Sequence, residues 1–344
     1  MRRAGAALVA LAVLACARPA PEPPRPRADC PALVTDGQVR MGTVLEISLC
    51  APDRARGEAI LAAAFAQVAE LEKSFSTFDA KSEASAVNRA AGHGPVAVSP
   101  ALARLVADSL ALGRLTRGSF DVTIGPLVAL WADAAKTGRA PAAAELAATR
   151  ARVGGDAVAR ADLAGGSVEL RVAGAAFDFG GIAKGWALDR VCESLRAQGV
   201  ARALLSFGGS SLAALGAGWG VALSDAGNGF AGTLELADGS LSVSGSLGQY
   251  VSVAGKRYGH VIDPRSGEPL QRARVAAVLA PDGATAEALS KALLILGEKE
   301  GVALLETIPG ADGILVDENG ESFQTRHWVA ASHYSPRRTL EYDP

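Results

Sequence analysis

The stretch Asp178-Phe-Gly-Gly-Ile-Ala-Lys-Gly-Trp-Ala-Leu-Asp189 is the most informative part of this chain. A short apolar run ends at Gly180-Gly181 and continues into a segment whose apolar residues have helical spacing. This pattern predicts a strand, a tight turn and the start of a helix. Free backbone N–H groups at a helix N-terminus, with Lys184 one turn inside, suit an anionic ligand such as a phosphate.

The bulk composition limits the classes of protein that fit this sequence. The chain has 344 residues, enough for one large domain or two ordinary ones, and 49% of them are hydrophobic, so a sizeable core can form. The formal net charge is −2, and no basic stripe with interleaved aromatic residues is present. Nucleic acid is therefore excluded as the expected partner.

The first residues have the features of an export signal. Arg2 and Arg3 precede a short apolar run at 6–15, too short to span a membrane as a permanent helix. The run ends in Val13-Leu14-Ala15-Cys16, which resembles a bacterial lipobox. We therefore predict a signal segment at 1–16, lipidation of Cys16, and a Pro-rich spacer at 17–38.

This N-terminus predicts an exported lipoprotein, held at the membrane through Cys16 and facing the periplasm or the cell exterior. The alternative is an ordinary secretory signal with an incidental cysteine. If Cys16 carries lipid, Cys30, Cys50 and Cys192 remain, an odd number that cannot all pair within the chain. Cys192 follows Val191 on the predicted helix and is expected to be buried, whereas the sequence leaves open whether Cys30 and Cys50 pair.

Apolar periodicity along the rest of the chain predicts a mixed α+β fold. The expected helices are at 55–75, 99–117, 126–131, 285–296 and 298–308. The expected strands are at 42–49, 167–172, 203–206, 220–223, 250–253, 275–279 and 314–316, with a hairpin at 234–243 that turns at Ala237-Asp238-Gly239. No strict βαβ repeat and no Cys/His cluster typical of zinc is present.

Five separated motifs occur in a fixed order along the chain. They are Met41-Gly42-Thr43; Ser76-Thr77-Phe78-Asp79 followed by Ser82 and Asn88; the segment 118–123 followed by Pro126, Leu127 and Trp131; the segment 178–189; and Tyr258-Gly259-His260-Val261-Ile262-Asp263-Pro264-Arg265-Ser266-Gly267. Together they resemble the ApbE family of flavin transferases over about residues 41–315. We therefore assign an ApbE-like domain to 39–325 and a C-terminal tail to 326–344.

The resemblance implies a fold, an activity and partners. Members of the family have an α+β architecture around a T-fold-like core and are typically exported lipoproteins. They bind FAD and Mg²⁺, cleave the FAD pyrophosphate, attach FMN through its phosphate to a Thr or Ser hydroxyl of a partner protein, and release AMP. Some relatives only hydrolyse FAD to FMN and AMP.

The resemblance also assigns roles to residues of this chain. Phosphoryl transfer needs neutralised phosphate oxygens and a nucleophile held in line, so Lys184 and the Gly180-Gly181 backbone would hold the pyrophosphate. His260 would take the proton of the incoming hydroxyl, and Asp263 would orient His260 or act in its place. The further FAD contacts implied by the resemblance are Met41, Phe78, Ser119, Phe120, Asp121, Asp178 and Ile262.

Three of these residues have a simpler alternative interpretation. Phe78 stands where the family often has a tyrosine and would offer an aromatic face to a ring of FAD, but it could equally be a core residue. Asp121 is either a ligand-binding residue or the cap of a helix that starts near Thr123. His260 is either a general base or an ordinary loop histidine.

The chain departs from the family at the metal motif, Ala-Asp-x-x-x-Thr on a helix. Here the corresponding residues are Ala286-Glu287-Ala288-Leu289-Ser290-Lys291. The candidate Mg²⁺ ligands are then Gly181, Glu287 and Ser290, because an ammonium has only donors and cannot ligate a metal. Glu287 and Lys291 form either a surface i,i+4 ion pair or a cation site beside the pyrophosphate. The second interpretation predicts FAD binding with little Mg²⁺ requirement and slow or absent transfer.

Three functional hypotheses remain open from the sequence, and all share an FAD site. The chain is an FAD:protein FMN transferase, an FAD pyrophosphatase, or a non-catalytic FAD-binding lipoprotein that has lost the Mg²⁺ site. AMP release in the presence and absence of a Thr-containing acceptor separates the three.

Overall fold

The computed structural model describes residues 30–224, 230–247, 250–253 and 255–328. Its helices are α1 (Arg54–Phe75), α2 (Glu83–Arg89), α3 (Pro100–Leu115), α4 (Gly125–Thr137), α5 (Ala143–Arg150), α6 (Ala183–Ala197) and α7 (Gly283–Leu305). Its strands are β1 (Ala32–Arg40), β2 (Thr43–Ala51), β3 (Val96–Ala97), β4 (Ala159–Asp162), β5 (Ser167–Leu170), β6 (Ala203–Phe207), β7 (Ser211–Leu215), β8 (Trp219–Ser224), β9 (Phe230–Leu236), β10 (Gly239–Gly245), β11 (Tyr250–Val253), β12 (Lys256–Gly259), β13 (Arg274–Ala280), β14 (Asp312–Asp317) and β15 (Ser322–Gln324).

One eight-stranded sheet organises the molecule, in the order β1-β2-β6-β7-β10-β13-β14-β15. Every neighbouring pair in it is antiparallel. Helices α1, α6 and α7 pack against this sheet, and three smaller sheets pair β3-β5-β4, β8-β9 and β11-β12. The predicted α+β class is confirmed.

The central strand β7 shows how the core is layered. Successive side chains of a strand point to opposite faces of the sheet. Leu212 and Ala214 pack with the β8–β9 pair, whereas Ala213 and Leu215 join the large core cluster that includes α1 and α6. Every residue of β7 is buried, because both faces of the sheet are covered here.

Helices α6 and α7 cross at two glycines without intervening side chains. A Cβ atom placed on Gly185 would lie 2.2 Å from the carbonyl oxygen of Gly283, and one on Gly283 would lie 2.5 Å from the carbonyl oxygen of Gly185. Asp189 fastens the crossing, since its carboxyl group accepts the N–H groups of Gly283 and Ala284 at 2.6 and 3.0 Å. Burial raises the pKa of Asp189 to about 7 even though these two N–H groups favour the carboxylate.

Several elements form where the sequence predicts them. Helix α1 begins after Asp53, whose side chain caps it, and α3 begins after Ser99 with Pro100 at its first position. The helix predicted at 285–296 lies within α7, and the one predicted at 298–308 overlaps it but extends three residues past its end at Leu305; α7 has non-helical backbone at Gly297, where the prediction placed the break. Cys192 is free and buried, as expected.

The hairpin predicted at 234–243 is wrong. Strand β9 pairs with β8 in a two-stranded sheet, whereas β10 pairs with β7 and β13 in the large sheet. Asp238 adopts a left-handed conformation at the turn, and its side chain accepts the N–H group of Gly216. The turn therefore connects strands of two different sheets. A hairpin turn would have the same residues, so the local sequence does not distinguish the two arrangements.

Two predicted boundaries also need correction. Strand β1 begins at Ala32, inside the range assigned to the spacer, because it pairs along its whole length with β2. Trp328 is fully buried against the face of the sheet that β8 and β9 cover, so the folded part extends past residue 325. The predicted helix at 126–131 is longer, and helices α2 and α5 are not anticipated by the periodicity.

A disulfide joins Cys30 to Cys50, with the two Cα atoms 5.0 Å apart. It closes the end of the β1–β2 pair that lies opposite the Met41-Gly42 turn. The signal segment, Cys16 and most of the spacer lie outside the described residues. Among the residues that are described, no helix combines the length and the apolar character that crossing a membrane would require.

We predict that Gly185→Ala destabilises the protein by roughly 1–3 kcal/mol, because the added methyl group meets backbone that cannot move aside. This cost exceeds the gain of about 1 kcal/mol in helix propensity. Urea unfolding followed by circular dichroism measures the change. Gly220→Ala is the matched control, since a Cβ atom there meets nothing within 4 Å. Equal stability of both variants would contradict the close crossing.

Candidate functional site

The turn at 178–182 leads directly into α6 and is held from both sides. The strand predicted before it is wrong, since only an isolated bridge between Ile124 and Ala176 forms there. Asp178 donates its N–H group to the carbonyl oxygen of Val122 at 2.9 Å, and its side chain accepts the N–H group of Gly180 at 2.8 Å. Asn88 exchanges two hydrogen bonds with the backbone of Phe177. Helix α6 has no side-chain cap. The Phe179 carbonyl oxygen accepts the N–H groups of Ile182 and Ala183, so an external acceptor would meet the N–H groups that follow them in the first turn.

Two cavities meet at Asp178 and Gly180, and together they form one cleft. The first, which we call the His260 cavity, encloses about 160 Å³. It is lined by Ser119, Phe120, Asp121, Ile124, Asp178, Gly180, Gly181, His260, Val261, Ile262, Pro264, Lys291 and Ile295. The second, the Phe78 cavity, encloses about 360 Å³ and is lined by Met41, Gly42, Glu72, Phe75, Ser76, Thr77, Phe78, Asp178, Phe179, Gly180, Ala183 and Lys184.

The cleft gathers most of the residues predicted from the sequence. All five motifs contribute, since the segment 178–189 lines both cavities and each of the other four motifs lines one of them. The predicted residues in the cleft are Met41, Phe78, Ser119, Phe120, Asp121, Asp178, Gly181, Lys184, His260 and Ile262. Asp263, Glu287 and Ser290 are not among the lining residues of either cavity.

Phe78 extends its ring away from the protein body. Its side chain is 97% exposed, so the alternative of a core residue is wrong. The loop that carries it is ordered by Ser76, whose hydroxyl oxygen accepts the N–H groups of Phe78 and Asp79 at 3.2 and 3.1 Å. An aromatic ring fixed at its backbone and free on its faces is suited to stack on a planar ligand.

Met41 lies at the tip of the two-residue turn between β1 and β2. Its φ of 48° is left-handed, which is uncommon for a residue other than glycine. Glu72 on α1 holds this conformation, because its Oε1 atom accepts the Met41 N–H group at 2.7 Å. Sequence reasoning missed Glu72, since only the fold brings residues 31 positions apart into contact.

Asp121 lies between the His260 cavity and a further cavity that contains Arg114 and Arg150. Its Oδ1 atom accepts the N–H and hydroxyl groups of Thr123. Helix α4 starts at Gly125 with Ile124 as the N-cap residue, so Asp121 is not that helix's cap. Burial raises the pKa of Asp121, and its hydrogen bonds to Thr123 oppose the shift.

Two lysines flank the Gly180-Gly181 turn. Lys184 donates to the hydroxyl oxygen of Ser210 at 3.0 Å, and burial lowers its pKa. Lys291 on α7 forms an ion pair with Glu287, which also accepts the hydroxyl of Ser211. Burial lowers the pKa of Lys291 to about 7, and the charge of Lys184 acts in the same direction. The ion pair with Glu287 opposes this shift, because it favours the charged ammonium.

The candidate metal ligands do not form an open oxygen site. One carboxylate oxygen of Glu287 accepts from Ser211 and the other contacts Lys291. The Ser290 hydroxyl is fully buried among Ser242, Ser244 and the Glu287 carbonyl group. Within the described ranges, no group of three or more His, Cys, Asp or Glu side chains is placed to hold a metal ion. The residues present therefore do not fit Mg²⁺, which needs hard oxygens in near-octahedral geometry.

His260 follows β12 directly and reaches the cleft on a rigid backbone. The preceding Gly259 packs so closely that a Cβ atom there would lie 2.1 Å from the Ser246 carbonyl oxygen. Backbone hydrogen bonds from Gly259 to Leu270, and from Leu270 to Val261, hold the segment on both sides of His260. The exposed imidazole belongs to the lining of the His260 cavity.

Asp263 does not join His260 in the cleft. Its two carboxylate oxygens accept from the guanidinium group of Arg265 at 2.9 and 2.8 Å. It lines a separate cavity together with Glu268, Arg272 and Arg274. The structure therefore gives Asp263 the geometry of a turn-stabilising ion pair. Its predicted catalytic role has no support from its position.

The chain is similar to known proteins of one family. The sequence model of the ApbE family matches residues 41–315. An FAD:protein FMN transferase of Klebsiella pneumoniae is 30% identical over 310 residues, which cover 87% of each chain. Another from Vibrio cholerae is 32% identical over 248 residues, which cover 69% of this chain and 73% of the relative.

Solved structures show the same relationship. The flavin transferase ApbE from Vibrio cholerae superposes with a TM-score of 0.75 at 26% identity, covering 87% of this chain and 99% of that one. The ApbE protein of Thermotoga maritima gives a TM-score of 0.78 at 25% identity, with coverage of 88% and 99%. The family match spans most of the folded part described above. This chain belongs to the ApbE family.

Proposed function

We propose that this chain is an FAD:protein FMN transferase. One observation carries the proposal: in a chain of the ApbE family, motifs that lie more than 200 residues apart converge on one cleft around the 178–184 turn. Relatives that match most of this chain carry that activity in their names. The substrates are FAD and a Thr or Ser hydroxyl of an acceptor protein.

Each of the two cavities suits a different part of this reaction. The Phe78 cavity offers an exposed aromatic face for a planar ring of FAD. The 178–184 turn and Lys184 provide N–H groups and a positive charge for the diphosphate. The His260 cavity is where the acceptor hydroxyl would meet the phosphorus atom, since it contains a side chain able to accept a proton.

The reaction balances with these groups alone. The acceptor oxygen forms a bond to the phosphorus atom on the FMN side, and the bond from that phosphorus to the oxygen of the AMP phosphate breaks. AMP leaves with the electron pair of that bond, and His260 takes the proton of the attacking hydroxyl. The flavin remains attached to the acceptor through its phosphate.

We predict that Phe78→Ala weakens FAD binding by about 1–3 kcal/mol, the usual contribution of an aromatic ring stacked on a planar base. The ring is almost fully exposed, so its loss should leave the fold unchanged. Fluorescence titration with FAD measures the affinity. Leu163→Ala, which removes another exposed apolar side chain, should bind FAD like the parent. Absence of FAD binding by the parent at tens of micromolar would overturn the proposed function itself.

We predict that His260→Ala lowers FMN transfer by about 10²–10⁴-fold while FAD affinity stays within about twofold, because a general base acts only in the transition state. The assay follows AMP release and covalent flavin fluorescence on an acceptor that the Vibrio cholerae relative modifies. His93→Ala, which changes an exposed histidine in a loop outside the cleft, is the control. Transfer near the parental rate would remove His260 from the mechanism.

The same assay separates transfer from hydrolysis. AMP release that does not depend on the acceptor, with no fluorescent acceptor formed, would identify an FAD pyrophosphatase. FAD binding with no AMP release would identify a flavin carrier. AMP and modified acceptor formed in equal amounts are the outcome expected for a transferase.

We also propose that the mature chain begins at lipidated Cys16 and is anchored outside the cytoplasm. The basic start, the short apolar run and the lipobox-like sequence support this proposal. The expected result is an N-terminal lipopeptide that begins at Cys16 in mass spectra of the native protein, and its loss in Cys16→Ala. An unmodified N-terminus at another residue would contradict it.

A further inference from the structure

Lys291 is more deeply buried than a residue of a surface ion pair would be. Its side chain is 19% exposed, and its partner Glu287 is 2% exposed, so the pair is largely withdrawn from water. Lys291 nevertheless lines the His260 cavity opposite Gly181, where an added Cβ atom would lie 3.9 Å from the Lys291 Cε atom. The alternative of a solvated surface ion pair is therefore wrong.

Two lysine ammonium groups lie at the base of the cleft. Lys184 on α6 and Lys291 on α7 lie on two different helices, and each lines a cavity that also includes Gly180. Asp121 and Asp178 also line the cleft, but their carboxylate oxygens accept from Thr123 and from the N–H group of Gly180. Lys184 donates to the neutral Ser210 hydroxyl and Lys291 pairs with Glu287, so a bound diphosphate would give the first lysine an anionic partner and the second lysine a further one.

Glu287 is fixed so that it directs Lys291 toward the cleft. A Cβ atom on Gly185 would lie 2.7 Å from the Glu287 Cγ atom, so the side chain packs directly on the α6–α7 crossing. Ser211 holds one carboxylate oxygen, which leaves the other for the ammonium of Lys291. Glu287 is therefore a positioning residue rather than a free ligand.

We propose that the Lys291 ammonium, positioned by Glu287, replaces a divalent cation at the FAD diphosphate, so that this chain binds FAD without Mg²⁺. The proposal rests on the proposed function, since it concerns the same FAD site. A single charge on a flexible stem replaces a coordinated dication, and three N–H donors replace the metal's bonds to phosphate oxygens.

Equilibrium titration tests the proposal independently of catalysis. FAD and riboflavin, which lacks the diphosphate, are titrated into the mature chain in EDTA and in millimolar Mg²⁺, with flavin fluorescence as the readout. The parent should bind FAD equally in both buffers, within about twofold. Lys291→Met should weaken FAD binding by about tenfold or more in both buffers and leave riboflavin binding unchanged.

A lone Lys291→Met change leaves the buried Glu287 charge uncompensated, which can destabilise the fold. The pair Glu287→Gln with Lys291→Met removes both charges and should show the same selective loss of FAD affinity. The pair Glu287→Asp with Lys291→Thr rebuilds two oxygen ligands one turn apart. It should bind FAD weakly in EDTA and regain about tenfold affinity with Mg²⁺.

The outcomes separate this inference from the proposed function. Parental FAD affinity that rises tenfold or more with Mg²⁺ would overturn the role of Lys291. The same conclusion would follow if the charge-free pair bound FAD as the parent does, or lost FAD and riboflavin binding equally. Failure of every form to bind either flavin would instead remove the flavin site, and the proposed function with it.

Discussion

The contact between Gly185 and Gly283 is the constraint on which the cleft depends. Only because neither residue has a side chain do the backbones of α6 and α7 meet, with Asp189 joining the start of α7 to the body of α6. This contact brings Lys184 on one helix beside Lys291 on the other. The relative position of the two backbone segments that carry these lysines is thus set by close packing of the helices.

The sequence was sufficient to predict features that depend on local chemistry. The Gly180-Gly181 turn with its following helix, the cap at Ser99 and the break at Gly297 each follow from the residues at those positions. The resemblance to one family then brought motifs from distant parts of the chain together, and the structure places most of those residues around one cleft.

Other features could not be predicted, because distant segments decide them. No motif in the sequence marks Glu72 or Ser211. Only the fold brings Glu72 to the Met41 N–H group and Ser211 to the Glu287 carboxylate. The turn at 237–239 has the residues of a hairpin, yet neighbouring strands compete for β9 and β10 and separate them. Asp263 follows His260 by three residues, but the turn directs it to Arg265 and away from the cleft.

Strand β1 forms one edge of the large sheet and is fastened to the protein at both ends. It is the outermost strand of the large sheet and has nine residues, whereas β15 at the opposite edge has three. Long edge strands are templates for association with other chains, and Leu33 and Val39 add exposed apolar surface to this one. The disulfide secures one end of the strand, and the Glu72–Met41 hydrogen bond secures the other. With both ends tied, the strand resists peeling away from β2, so the hydrogen bond that holds Met41 at the cleft also fastens the edge of the large sheet.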